Sequence, residues 1–299
     1  MKIASSHRIN EVKSLEVHVA YGCNLNCRSC AHCSPLEPED FINIDKCVNH
    51  LQILAKHLRI KILRLLGGEP LLNENIVSIL EMVKQARIAD KIYIATNGLF
   101  LKRMPNKFFE LIDGLEISIY KYSEYFQKEM INFIRHKFKN THKQAFFYKF
   151  YYFREPFFTS ENQERSLVQQ IYDTCVYSKL WQCFNYHQGH FFKCPQAFSL
   201  EKNIFGYENY KENGIKITDN NQLGEKLLAY INSTNPLSAC KYCCGAAGLK
   251  IEIEQVKRES WKEYIKHNVN DALDFEFLVK LKENMDIDLE TIRETVCIN

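Results

Sequence analysis

The chain has 299 residues, 46% of them hydrophobic, and a formal net charge of +3 from 39 basic and 36 acidic side chains. That length suits one large or two small domains with a real apolar core, and a small positive charge without a Lys/Arg cluster excludes a nucleic-acid footprint. With no 18-residue apolar run and no N-terminal apolar signal region, the expectation is a cytoplasmic protein that does not span a membrane; in such a chain twelve clustered cysteines point to metal rather than disulfides.

In chain order, an alternating stretch over 15–20 predicts a strand. It runs straight into YGCNLNCRSC, where Cys23, Cys27 and Cys30 are spaced C-x3-C-x2-C. Three thiolates on one short loop can hold three irons of a [4Fe-4S] cubane and leave the fourth open to a ligand. The same cysteines also suit zinc, with His32 two residues on as a possible imidazole ligand, and the spacing alone leaves both metals open. Leu51, Leu54, Ala55 and Leu58 recur at helical spacing.

A buried strand over 60–66 then leads to Gly67-Gly68-Glu69-Pro70. Two readings of this loop stand side by side: an ordinary strand-to-helix turn with a first-turn charge, or glycines that let the backbone approach a ligand while Glu69 accepts from a cationic amino group. Ile76, Ile79, Leu80 and Val83 mark a second helix that starts near Asn73 or Asn75. A strand over 91–95 ends in Thr96-Asn97-Gly98. Pro105 opens a short helix to Ile112, and a strand over 115–120 carries Ser118 and Tyr120. Phe126, Met130, Phe133, Ile134 and Phe138 form a fourth helical stripe.

The very aromatic stretch 144–153 predicts a fifth strand. It is either buried on both faces or ends at a substrate pocket, with Arg154 as a candidate anchor for an anionic or hydroxyl group. Strands alternating with helices imply an α/β fold with a parallel sheet and right-handed crossovers. The loops after the strands then share one face, where such folds carry their chemistry.

Beyond the fifth strand, Cys175, Cys183, Gly189 and Cys194 precede Cys240-x2-Cys243 with Cys244 adjacent. A two-residue turn at Gln188–Gly189 would set Cys183 opposite Cys194, about 5 Å apart between Cβ atoms. Five thiols thus compete for four ligand positions, and four thiolates also suit zinc. Cys33 is either a core residue or a confusion in the ligand count, whereas Cys47 and Cys297 read as buried apolar residues. After Gly248 the chain reads as helices, with Trp261, Tyr264, Ile265 and Val269 in one stripe and Leu289, Ile292 and Val296 in another. They would pack on the barrel or a partner copy, or cap the barrel mouth.

In their order, the three-cysteine loop, Gly67-Gly68-Glu69-Pro70, Thr96-Asn97-Gly98 and Ser118 resemble the radical S-adenosylmethionine (radical SAM) enzymes. The resemblance implies a partial (β/α)6-type TIM barrel over 1–160, of which five strands are legible. It implies that Cys23, Cys27 and Cys30 hold the SAM-cleaving [4Fe-4S] cluster, with His32 close by. SAM would lie against Gly67, Gly68, Glu69, Pro70, Thr96, Asn97 and Ser118. The second half resembles the twitch domain, a shortened SPASM domain. That implies a small β-hairpin domain over 161–250 whose auxiliary [4Fe-4S] cluster is held by Cys175, Cys194, Cys240 and Cys243, with Cys183 in or beside the shell. A helical segment over 251–299 would follow.

The implied reaction is one-electron cleavage of SAM, with flavodoxin or ferredoxin as donor. The resulting 5′-deoxyadenosyl radical takes hydrogen from a small molecule, a sugar or an aminocyclitol by the same resemblance. Dehydrogenation would pass the second electron to the auxiliary cluster; epimerisation would need a thiol donor, for which Cys244, Cys183 or Cys47 is a candidate. Two other readings remain: a maturase acting on a ribosomally made peptide, disfavoured by the mere 14 residues before the first strand, and a zinc-stabilised binding module.

Overall fold

The computed structural model describes residues 10–206, 208–284 and 295–298. Its first half alternates strand and helix: β1 (Asn10–Ala20), α1 (Ile44–Ala55), β2 (Leu58–Gly67), α2 (Ile76–Ala86), β3 (Ala89–Thr96), α3 (Asn106–Leu111), β4 (Gly114–Tyr120), α4 (Glu124–Phe138) and β5 (Gln144–Phe150). The second half holds β6 (Tyr152–Arg154), α5 (Arg165–Asp173), α6 (Val176–Lys179), the hairpin β7 (Phe184–His187) and β8 (His190–Phe192), α7 (Gln196–Leu200), β9 (Ile215–Lys216) and α8 (Leu223–Asn232). It closes with β10 (Lys250–Glu252), α9 (Val269–Ala272), α10 (Phe275–Glu283) and β11 (Thr295–Ile298).

One sheet runs β11-β5-β4-β3-β2-β1-β7-β8-β9. Strands β1 to β5 pair in parallel, as expected from the sequence. The sixth parallel strand, not legible in the sequence, is β7: it pairs with the free edge of β1, Glu16 opposite Asn185. The cysteine-flanked hairpin therefore extends the main sheet. Its turn lies at Gln188–Gly189 as expected, with His187 opposite His190 and both turn residues at positive φ.

Three helix starts are capped by side chains: Asn43 accepts from Lys46 N at 3.0 Å, Ser123 from Phe126 N at 3.3 Å and Asp274 from Phe277 N at 2.9 Å. Such a cap contributes about 1 kcal/mol. Between helices and sheet lies the main core, built from residues such as Leu15, Val17, Val19, Leu51, Leu54, Leu63, Leu65, Ile94, Ile117, Ile134 and Phe147. On β1 these alternate with Ser14, Glu16 and His18, buried polar residues on the opposite, inner face.

Four expectations need correction. Leu58 is not in the first helix; it opens β2, because the chain turns at Lys56 and His57. The aromatic stretch is not one strand: it breaks at Tyr151, and β6 leaves the main sheet to pair with β10. Residues 261–269 do not form one helix. Trp261–Tyr264 is a single 3-10 turn, and the apolar stripe splits, with Trp261 fully buried and Tyr264 exposed. Helices do follow Gly248, as α9 and α10. Of the last stripe, Leu289 and Ile292 lie outside the described residues, while Val296 belongs to β11, opposite Phe147. No helix among the described residues is long and apolar enough to cross a membrane.

Candidate active site

The parallel strands end on one side, where the three-cysteine loop follows β1, Gly67-Gly68 closes β2, Thr96-Asn97 ends β3, and Ser118 and Tyr120 sit near the end of β4. Cys23, Cys27, Cys30, Gly67, Gly68, Thr96, Asn97 and Ser118 line one cavity of ≈ 260 Å³. The structure thus brings together side chains from four strand ends, the placement expected of the loops. His32 lines it too, with its Nδ1 3.2 Å from the Gly67 carbonyl, which puts a proton on Nδ1. Burial lowers its pKa, which favours the neutral ring, against the opposing pull of the Gly67 carbonyl.

The cysteine loop is held from several directions. Gly68 N donates to Ala20 O at 3.0 Å and Glu69 N to Gly22 O at 3.1 Å. A Cβ on Gly67, at φ 144°, would stand 1.9 Å from Ala20 O, and one on Gly68 would stand 2.0 Å from Gly22 O. These glycines are required by the close approach of protein to protein, and both also line the cavity.

Glu69 needs correction. Its carboxylate is fully buried and not part of the cavity wall; it accepts from Thr96 Oγ1 at 2.6 Å, Asn97 N at 2.8 Å and Leu71 N at 3.0 Å. A buried carboxylate needs such donors. They fasten the loop after β2 to the loop after β3, and commit both carboxylate oxygens of Glu69 to protein donors. Burial raises its pKa to about 7 even though the three donors lower it. Pro70 is buried behind it. Asn97 continues the chain of contacts, its Nδ2 donating to Asn24 Oδ1 at 2.8 Å.

A clamp that sequence reading missed comes from the chain after β10. Gln255 Nε2 donates to Cys27 Sγ at 3.2 Å, and its Oε1 accepts from Asn26 N at 2.6 Å. Trp261 Nε1 donates to Cys27 O at 2.8 Å. Leu25 N donates to Cys23 Sγ at 3.4 Å. Amide donors to sulfur favour a thiolate, but burial dominates here and pushes both Cys23 and Cys27 up to about 12. In a sequence 230 residues apart, only the buried character of Trp261 hinted at this contact.

Arg154 lines the cavity, but its guanidinium is already engaged: it donates to Gly248 O at 2.6 Å, stands 3.6 Å from Asp274 and stacks 3.7 Å above the Phe277 ring. These contacts fasten β6 to the C-terminal helices, and Nε is left buried without a hydrogen-bond partner. Cys33, Cys47 and Cys244 are fully buried in apolar clusters and reach neither cavity. The side chain of Cys297 is outside what the structure describes.

A second pocket gathers Cys175, Cys194 and the neighbouring pair Cys240 and Cys243 from three places in the chain. The Cys194 thiol is pushed well up, first by burial and then by Cys175, Cys240 and Cys243. Gly245 N donates to Cys243 Sγ at 3.3 Å, and Lys193 stands at the wall, donating from Nζ to Tyr172 Oη and to Ser233 O, both at 2.7 Å. Cys183 is not part of this group; it lines a different cavity, inside the barrel, beside Glu16 and Arg64. Among the described residues no three His, Cys, Asp or Glu side chains form a set that would hold a single metal ion.

Comparison with known proteins agrees with this geometry where it can speak. The chain is 33% identical over 96 residues to the GTP 3′,8-cyclase of Clostridium perfringens strain SM101, 30% of this chain and 29% of that protein. It is 29% identical over 122 residues to the GTP 3′,8-cyclase of Limosilactobacillus fermentum, 39% of this chain and 36% of that protein. The matches thus span about a third of those relatives. Among solved structures, anSMEcpe with bound AdoMet and Kp18Cys peptide superposes with a TM-score of 0.47 at 12% identity, covering 91% of this chain and 99% of that one. BtrN in complex with AdoMet and 2-DOIA gives 0.46 at 14%, covering 78% and 94%. Both scores are too low to carry a structural argument, and the fold rests on the sheet order itself. The family model of the Radical SAM superfamily matches residues 17–145, the stretch that supplies the cysteine loop and the β2, β3 and β4 residues of the cavity, so the chain carries a Radical SAM domain there.

Proposed function

We propose that this chain is a radical SAM enzyme acting on a small molecule, with a sugar or aminocyclitol as the substrate class and dehydrogenation or epimerisation as the outcome. The observation that carries the reading is that three thiols from one loop open into the same cavity as Gly67, Gly68, Thr96, Asn97 and Ser118. The donor chemistry fits a [4Fe-4S] cluster on Cys23, Cys27 and Cys30 with SAM beside it. When bound, the pair supplies reductive cleavage of SAM and abstraction of hydrogen from an unactivated C–H bond, with flavodoxin or ferredoxin as electron source.

The chain's own residues then bind, orient and exclude water. Gly67 and Gly68 present backbone where no side chain fits. Thr96 and Asn97 are held by Glu69, which fixes the end of β3 at the cavity wall. Gln255 and Trp261 close the loop from outside. Cys175, Cys194, Cys240 and Cys243 are the proposed ligands of a second [4Fe-4S] cluster, supported by their shared pocket. Its wall residues Tyr177 and Gly245 also line the main cavity, so the two sites are neighbours. Of the three thiols considered as hydrogen donors, Cys183 has access to the barrel interior, and Cys47 and Cys244 do not.

The test is anaerobic reconstitution followed by SAM and dithionite. Formation of 5′-deoxyadenosine supports the reading; SAM left intact by protein with full iron occupancy overturns it.

A further inference from the structure

Beneath the strand ends lies a larger cavity, ≈ 640 Å³, that shares the walls Ala31, His32, Leu66, Ala95, Ser118 and Tyr177 with the first. It occupies the inner face of the sheet, where a folded core would place apolar side chains. Instead each of three strands brings a charge: Glu16 on β1, Arg64 on β2 and Glu116 on β4. Such groups are costly to bury and are retained where a ligand uses them.

The charges do not balance. Arg64 reaches across β3 and spends its guanidinium on Glu116 in a two-pronged pair, Nε at 2.9 and 3.1 Å and Nη2 at 3.0 Å. Glu16, only 8% exposed, takes its hydrogen bonds from neutral groups, the Asn185 amide at 2.9 Å and the Cys183 thiol. Asn185 is itself fixed by His18 Nε2, 3.1 Å from its Oδ1. Arg64 also acts on Glu16 through space, but with its hydrogen bonds committed to Glu116 the interior holds two carboxylates to one guanidinium. Lys13 and Lys61 stand exposed at the rim, Lys61 already 2.5 Å from Glu11, and solvent screens them. Tyr148, Phe150 and Trp181 line the same cavity. A buried carboxylate and aromatic rings lining one cavity are the chemistry that recognises an organic cation.

We infer that this cavity is the substrate pocket for a ring compound bearing a primary amine, its ammonium group set against Glu16 and its ring against Tyr148, Phe150 and Trp181. Burial supports this, since it lifts the Glu16 carboxyl to about 7 and a bound cation would restore its charge. The inference rests on the two joined cavities being the reaction site and narrows the substrate class proposed for it.

The test is titration calorimetry of the anaerobically reconstituted protein with trans-4-aminocyclohexanol and with its uncharged counterpart trans-cyclohexane-1,4-diol. The amine is expected to bind at least about tenfold tighter, a difference of about 1.4 kcal/mol. Glu16→Gln should remove that preference and leave diol binding unchanged. Trp181→Ala should weaken both ligands and keep the preference, so the conclusion does not hang on one variant folding. Equal binding of the two ligands by the wild type, or no binding of either, overturns the inference, as does a preference that survives Glu16→Gln in folded protein. SAM cleavage measured on the same preparation keeps the two proposals apart: cleavage without amine preference removes the ligand class alone, and amine preference without cleavage removes the reaction alone.

Discussion

The two cysteine sites are built on opposite plans. Cys23, Cys27 and Cys30 come from one loop, held from below by Gly67-Gly68 and from outside by Gln255 and Trp261, and they face a roomy cavity. Cys175, Cys194 and the pair Cys240 and Cys243 come from three separate segments and face a tight pocket with Lys193 at its wall. A triad that leaves room beside it suits an exchangeable ligand; a quartet that encloses its contents suits a cluster whose coordination is complete. The difference teaches that thiol count and surrounding space, rather than cysteine content, separate a reactive site from a relay or a structural one.

Ligand removal is expected to have the largest effect on this contrast. Reconstituted wild type should carry about eight irons per chain, and Cys240→Ala about four, read by iron and sulfide analysis; unchanged iron in Cys240→Ala would remove the quartet as a cluster site. Next is Gly68→Ala. Its Cβ would meet the Gly22 carbonyl oxygen at 2.0 Å, a backbone atom that cannot swing away. A loss of more than about 3 kcal/mol is expected, confined to the triad side; a melting curve that matches the wild type would show that the loop is less tightly seated than described.

Trp261→Phe is milder. It leaves Cys27 O without its buried indole donor, at a cost of about 1–3 kcal/mol, and should speed chelator removal of iron from the triad but not from the quartet. Equal rates at both sites would show that the C-terminal clamp does not protect the loop. The smallest effect is on pH. Burial raises both Glu16 and Glu69 to about 7, from 4.5. A raised carboxyl pKa means the folded chain keeps a proton that the unfolded chain gives up, so this stabilisation is full below about pH 4.5 and is lost as pH rises through about 7. Glu16→Gln should flatten that fall in denaturant titrations between about pH 5 and pH 8; an unchanged slope would contradict the burial of this carboxylate.

These contrasts also mark what was readable in the chain. The segments that form the main cavity were legible because each lies at or just after the end of a strand, and a parallel sheet delivers such ends to one face. Glu69 was misread because its partners, Thr96 and Asn97, belong to the next strand, and nothing local shows that its carboxylate points to them. Cys183 was misplaced by extending hairpin register past the last paired residues, Asn185 and Phe192. The sixth parallel strand was hidden in the hairpin, since pairing with the β1 edge is a tertiary choice that leaves no periodicity of its own. Glu16, Arg64 and Glu116 did leave a signal: each is a charge set between two apolar neighbours in its strand, Leu15 and Val17, Leu63 and Leu65, Leu115 and Ile117. That pattern marks a lined interior rather than a filled one.

The most direct test of the account is 5′-deoxyadenosine formation from SAM and dithionite, measured by mass spectrometry side by side in the wild type, Cys27→Ala and Cys240→Ala after anaerobic reconstitution. The account predicts product from the wild type and from Cys240→Ala, and none from Cys27→Ala. Product from Cys27→Ala, or none from a wild type with full iron occupancy, would contradict the assignment of SAM cleavage to the three-cysteine cavity.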